Sequence, residues 1–258
     1  MEELVSVLGL HGYSAIALSY LVGGAFVAGL ARGFSGFGAG LIYIPIASAV
    51  IGSKLAVPLL LILEIAATAG LIPDAWRRAE RREAGVMMLG ALIGVPIGAY
   101  ILTKIDPVIV RWILVASIVP MLALLVSGWR YHRKPALPLS VVVGTVSGFF
   151  SGFAQIGGPP VIMYWLGGQG KPDTVRANLV LFFVGNIVFS FVAYWIGGLF
   201  TSSLLGLAVV TVPIFALGLG IGSLMFGRAH EAMFRRICYA LIAVAVLISL
   251  PILDGVIR

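Results

Sequence analysis

The sequence predicts an all-α polytopic membrane protein: about eight membrane segments in two inverted four-segment repeats, each repeat opening with a glycine-broken hairpin. Three observations carry this. The composition suits a chain surrounded by lipid. The apolar runs have the length of membrane helices. Two glycine-rich interruptions recur at matched places in the two halves.

Of 258 residues, 60% are hydrophobic and 10% charged, against about 25% charged in an ordinary soluble domain. The mean hydropathy of +1.11 is incompatible with a water-facing surface. The 33 glycines and 13 prolines fit membrane helices, where both are commoner than in soluble ones. A net charge of +7 would raise the question of nucleic acid in a soluble protein. Here Lys and Arg read as loop residues that set topology, and no nucleic-acid partner is expected. Cys238 is the single cysteine and lies in an apolar run, so it reads as a packing residue. Glu2 and Glu3 stand where a signal peptide would be basic, so the first apolar run is expected to stay in the mature protein.

Runs of about 17–25 apolar residues can span as helices. Six fit: about 55–73, 84–103, 108–128, 177–197, 203–226 and 234–253. Stretches 14–51 and 138–168 are too long for one crossing, and glycines interrupt each. Phe34-Ser35-Gly36-Phe37 reappears as Phe150-Ser151-Gly152-Phe153, 116 positions later. Gly94, Gly98 and Arg111 share their spacing with Gly218, Gly222 and Arg235, 124 positions on. The chain therefore reads as a single transmembrane transporter domain over 1–258, with repeats at 14–128 and 138–253. The basic segment Arg130–Pro135 links them.

Loop charges choose between topologies. If each broken stretch crosses once, eight basic residues face eight and no orientation emerges. If each enters, turns at its glycines and leaves on the same side, twelve face four, with Lys54, Lys104, Arg111 and Arg258 in the minority. The positive-inside rule favours the second arrangement. Each half then makes an odd number of crossings, so the halves are inverted and both termini lie outside. Inverted repeats with broken helices are a secondary-transporter architecture with the site near the midplane.

A broken helix offers free amides and a positive dipole end to an anion, and glycine lets a ligand reach the backbone. Gly36, Gly38 and Gly40, with Gly152, Gly157 and Gly158, are candidates for two opposed cradles. Ser35, Ser151 and Gln155 add side-chain donors. Close helix packing through small residues is the alternative role for such glycines. Arg32 adjoins the first break. A membrane-embedded arginine is a functional hypothesis by default, although it can also snorkel to an interface. Glu64 stands mid-segment, as a candidate proton carrier or as a tie between helices. Arg176, Asn178 and Asn186 open and line a later segment, and the two asparagines lie two turns apart so that both can face inward. Tyr43 and Tyr164 follow the two breaks, where a site role competes with interface anchoring.

No catalytic signature stands out. There is no zinc-protease helix motif, no nucleophile elbow and no phosphate-binding loop, and His11, His132 and His230 are scattered. No enzyme activity, metal or cofactor is expected. The partners expected are a small anion, the bilayer and a coupling proton; the sequence also allows a homodimer.

The two Gly-rich elements, Ser35-Gly36-Phe37-Gly38 and Ser151-Gly152-Phe153-Ala154-Gln155-Ile156-Gly157-Gly158-Pro159-Pro160, resemble those of the TauE/SafE family of sulfite and organosulfonate exporters. The second, followed by Arg176-Ala177-Asn178, is the more specific. The first departs from the usual glycine-run form at Phe37 and Ala39. The resemblance spans nearly the whole chain. It implies the substrate class, a sulfur-containing anion such as sulfite or sulfoacetate. Together with the inverted, broken repeats, the expectation is a plasma-membrane secondary transporter that moves it outward by alternating access around the two breaks. A permease for another anion such as a carboxylate, and a non-transporting assembly subunit, are the alternatives.

Overall fold

The structure is a computed structural model that describes residues 14–129, 131, 136–166, 171–225 and 231–253. Glu2, Glu3, His11, Arg130, the 132–135 segment, Arg228, His230, Arg258 and the side chain of Arg235 lie outside the described residues.

The described chain is helical. The helices are α1 Ala15–Ser35, α2 Ala39–Ile51, α3 Ser53–Thr68, α4 Ile72–Arg78, α5 Arg81–Lys104 and α6 Pro107–Ser127, followed by α7 Leu137–Ala154, α8 Gly158–Leu166, α9 Pro172–Ile196, α10 Ser202–Met225 and α11 Glu231–Ser249. Among the described residues, seven stretches are long and apolar enough to cross a membrane. They are α1, the run Ser53–Arg78, α5, α6, α7, the run Asp173–Ile196 of α9, and α10. The eighth expected segment corresponds to α11, whose apolar part Arg236–Ser249 is shorter. The end of the expected 55–73 segment differs from expectation. Helical structure continues past residue 73 to Arg78, because Pro73 sits in the first turn of α4, where it costs nothing, and Asp74 pairs with Arg78 one turn on.

By contact density the chain divides into two compact units, and neither coincides with a sequence half. One takes the chain to Ala66, Ile105–Leu122 and the chain from Gly198; the other takes Ala67–Lys104 and Ala123–Gly197. In the first unit α1 packs on α10, while α2 packs on α1 and α11. In the second α5 packs on α7, and α9 lies against α4, α5, α7 and α8.

The packing chemistry is that of lipid rather than water. On α5 the buried face is Met87, Gly90, Ala91, Gly94, Val95 and Gly98. The exposed face is Leu89, Leu92, Ile93, Ile97 and Tyr100. Bulky side chains point outward to hydrocarbon and small ones let backbones meet. The α5–α7 seam is closely packed: a Cβ added at Gly148 would sit 2.6 Å from Ala91 Cα. Pro45, Pro58, Pro96, Pro120 and Pro213 all lie inside helices, a placement membrane helices tolerate.

Both glycine-broken stretches fold back on themselves. A Cβ on Gly24, twelve positions before Gly36, would lie 3.4 Å from Ile46 Cγ2 and 3.6 Å from Tyr43 Cδ2. A chain that ran straight on from α1 could not make these contacts, so α2 returns along α1. In the second stretch Tyr164 Oη reaches Ser140 Oγ at 2.8 Å and accepts from the Ala136 N–H at 3.0 Å. The end of α8 is thereby tied to the start of α7.

Candidate functional site

At the first break α1 ends at Ser35. Gly36 takes a left-handed conformation, φ 77°, and its N–H donates to the Arg32 carbonyl at 2.8 Å. Gly38, φ 94°, precedes α2 without any side-chain cap, so the first amides of α2 keep the free donors of a helix start. A Cβ on Gly36 or Gly38 would meet nothing within 4 Å. These glycines therefore serve the backbone conformation, and the space beside them is open. Gly40 is buried in the first turn of α2. Ser35 Oγ lies 2.7 Å from the carbonyl oxygens of both Ala31 and Phe37, so it ties the last turn of α1 to the residues that follow it.

Arg32 lies in the last turn of α1 and is buried. Its Nε meets Glu64 Oε2 of α3 at 3.0 Å, with both side chains largely enclosed. The two ionisable residues that the sequence presents separately form one pair in the same compact unit. Tyr43 is fully buried and packs over Gly24; its hydroxyl has no hydrogen-bond partner.

At the second break α7 ends at Ala154, and Gln155 takes the left-handed conformation, φ 56°. Its N–H donates to Ser151 O at 2.8 Å, and that of Ile156 donates to Phe150 O at 3.2 Å. Ser147 Oγ donates to the Gly157 carbonyl. A Cβ on Gly157 would collide with Ser147 O and Ser151 Oγ, so this position admits glycine for closeness rather than for φ. Gly158 opens α8 and is followed by Pro159 and Pro160, which have no N–H to offer. The amide donors at this helix start are correspondingly fewer than at α2.

Tyr194 of α9, which the sequence reading did not single out, closes this break. It is fully buried. Its hydroxyl lies 2.7 Å from Gly152 O and 3.1 Å from Ser151 O, and accepts from Gln155 Nε2 at 3.2 Å. A signal was present: Asn186, Ser190 and Tyr194 recur at every fourth position in an otherwise apolar helix, which is one helix face.

The remaining candidates sit elsewhere. Asn178 and Asn186 are both buried. Asn178 Oδ1 accepts from the Glu80 N–H at 2.8 Å and its Nδ2 lies 3.4 Å from Glu83 Oε2, so it ties α9 to the start of α5. Asn186 Nδ2 donates to Phe182 O at 3.0 Å within its own helix, and its Oδ1 is unpartnered. Arg176 is exposed near the start of α9. Tyr164 is committed to Ser140 and Ala136, as above. A cavity of about 480 Å³ lies at the start of α5, lined by Glu80, Arg81, Arg82, Glu83 and Leu137; it contains none of the break residues. Among the described residues no cluster of His, Cys, Asp or Glu could hold a metal ion.

Lipid-facing apolar helices, a buried ion pair and two helical hairpins turning at glycine-rich breaks define a multi-pass α-helical membrane protein. The chain belongs to the sulfite exporter TauE/SafE family, whose model matches residues 21–249. That match takes in both breaks and the Arg32–Glu64 pair, and it makes the protein a membrane transporter of the sulfite and sulfur-anion class. No curated protein and no solved structure matches the chain.

Proposed function

We propose that the protein is a plasma-membrane secondary exporter of a small sulfur-containing anion, sulfite or an organosulfonate such as sulfoacetate, working by alternating access around the two helix breaks. The observation that carries this reading is the Arg32–Glu64 pair beside the first break, 3.0 Å apart. A permanently charged guanidinium within a membrane segment is costly unless it is paired. In the resting protein Glu64 supplies the pair. An arriving anion competes with Glu64 for Arg32, and a proton on Glu64 releases Arg32 to the anion. Anion binding and protonation of Glu64 therefore favour one another, as linkage requires. A divalent anion leaving with one proton still carries negative charge outward, so an inside-negative potential drives export.

The comparison of halves supports a special role for this pair. An offset of 122 positions places Lys54 on Arg176, Thr68 on Ser190 and Glu64 on Asn186. The offset of 116 that aligns the breaks places Arg32 on Gly148. Both charges are missing from the second half together. Under the inverted-repeat reading, one half holds the titratable pair and the other a neutral, capped break. The same reading puts residues 74–83, where α4 ends and α5 begins, in the cytoplasm and both termini outside.

The test is flux from proteoliposomes clamped at an inside-negative potential, with sulfite, sulfoacetate, sulfate and acetate as substrates. Saturable export of sulfite or sulfoacetate is expected, with KM falling as pH falls. Flux confined to acetate would favour a carboxylate permease. No flux and no binding with any anion would sink the proposal.

A further inference from the structure

We propose that Tyr194 is a positioning residue that aims the Gln155 carboxamide at the transported anion and thereby sets anion affinity at the second break. This rests on the anion-transport reading above and adds a specificity determinant to it.

The first observation is conformational. Gln155 is the one non-glycine residue with positive φ among the described residues. A side chain in this region is disfavoured by about 1–2 kcal/mol. Glycine would adopt it freely, as Gly36 does at the corresponding turn of the first break. The backbone gains nothing from a glutamine here, so the side chain serves another purpose.

The second observation is where that side chain goes. Its Nε2 donates one hydrogen to Tyr194 Oη at 3.2 Å. A carboxamide carries two such hydrogens, and the other has no protein partner among the described residues. Tyr194 fixes the direction of the group while leaving a donor over.

The third observation is electrostatic. The same Tyr194 hydroxyl sits 2.7 Å from Gly152 O, one of the terminal α7 carbonyls that no helical N–H satisfies, and 3.1 Å from Ser151 O, which already accepts from the Gln155 N–H. Left bare, Gly152 O would present the negative end of the helix dipole to an anion. At the second break the hydroxyl that covers a terminal carbonyl also orients a donor. Beside it, a Cβ on Gly158 would make only ordinary contacts, 3.6 Å to Ile162 and 3.8 Å to Phe183.

The test uses the full-length protein in proteoliposomes. Tyr194→Phe keeps the ring and removes the hydroxyl. Loss of one hydrogen bond to a charged ligand corresponds to about tenfold in affinity, so anion KM should rise about tenfold, with kcat within about threefold. Gln155→Gly should raise KM similarly while holding or raising Tm, because it relieves the backbone. Combining the two should add little, since they act as one unit. An unchanged KM in Gln155→Gly, or fully additive effects in the double variant, would overturn the proposal. If Tyr194→Phe does not survive purification, Gln155→Gly and Gln155→Glu decide: both should raise KM, the glutamate more, and wild-type KM in either refutes it. A wild-type protein without anion flux sinks the transport reading and this proposal together. Wild-type flux with unaffected variants sinks this proposal alone.

Discussion

Neutralising Glu64 should destabilise the protein, and neutralising Arg32 as well should restore most of the loss. At 3.0 Å, two unit charges attract by about 5–6 kcal/mol at an effective dielectric of about 20. Much of that only offsets the desolvation of both groups. Removing one partner leaves a buried charge uncompensated, typically at about 3–5 kcal/mol. The Glu64 side chain is 16% exposed, which argues for the low end, about 3 kcal/mol. For a chain of this size each kcal/mol shifts Tm by roughly 2–4 °C, so Glu64→Gln should lose about 6–12 °C. Thermal unfolding of detergent-purified protein, followed through its five tryptophans, measures this. Arg32→Gln with Glu64→Gln removes both charges and should recover most of the Tm. Transport should separate from stability: the double variant should remain defective in anion flux, and Glu64→Gln should lose the pH dependence of KM. A Glu64→Gln protein within about 2 °C of wild type would refute the energetic reasoning. A double variant with full, pH-dependent flux would show that the pair only ties α1 to α3.

Other expectations concern the scaffold. Gly148→Ala places a methyl group 2.6 Å from Ala91 Cα; the α5–α7 seam must open, at about 1–3 kcal/mol, whereas Gly70→Ala, with nothing within 4 Å, should leave Tm unchanged. Arg111 is buried on α6 and its Nη2 donates to Ser249 O at 2.9 Å at the end of α11; Arg111→Met should cost about 1–3 kcal/mol through the lost charged hydrogen bond, read as a lower Tm. Tyr164→Phe removes the bonds to Ser140 Oγ and the Ala136 N–H and should cost about 1–2 kcal/mol, with increased proteolysis near residue 136. Ala79→Cys on a Cys238→Ala background should be labelled by an impermeant maleimide from the cytoplasmic face; labelling confined to the outer face would reverse the topology.

Several site residues were legible because their signals are local. Gly36 and Gly38 occupy turns that need left-handed backbone, and glycine runs inside apolar stretches mark such turns. The fold-back of α2 on α1 and of α8 on α7 follows from stretches too long for one crossing. Asn178 and Asn186 were expected to face inward and are buried, yet Asn178 serves the start of α5 rather than a break. Helical spacing determines a face and says nothing about which neighbour meets it. Tyr164 shows the same limit: its position after the second break suggested a site role or interface anchoring, and its contacts lock a hairpin instead. Tyr194 is harder to read from sequence, because a tyrosine in an apolar helix also has an ordinary role at a membrane interface.

The sequence by itself determined that this chain lives in lipid, where its helices run and where they break. Hydropathy, run length and glycine conformational freedom are properties of neighbouring residues and survive without a fold. The tertiary structure alone decided that Arg32 is matched by Glu64, that Tyr194 covers the carbonyls of Ser151 and Gly152, and that the compact units draw helices from both halves. Those contacts join residues 32 or more positions apart. Which apolar helix packs on which is set by the close approach of small-residue faces such as Gly94 and Gly148, and many helix pairings are nearly equivalent by hydropathy alone.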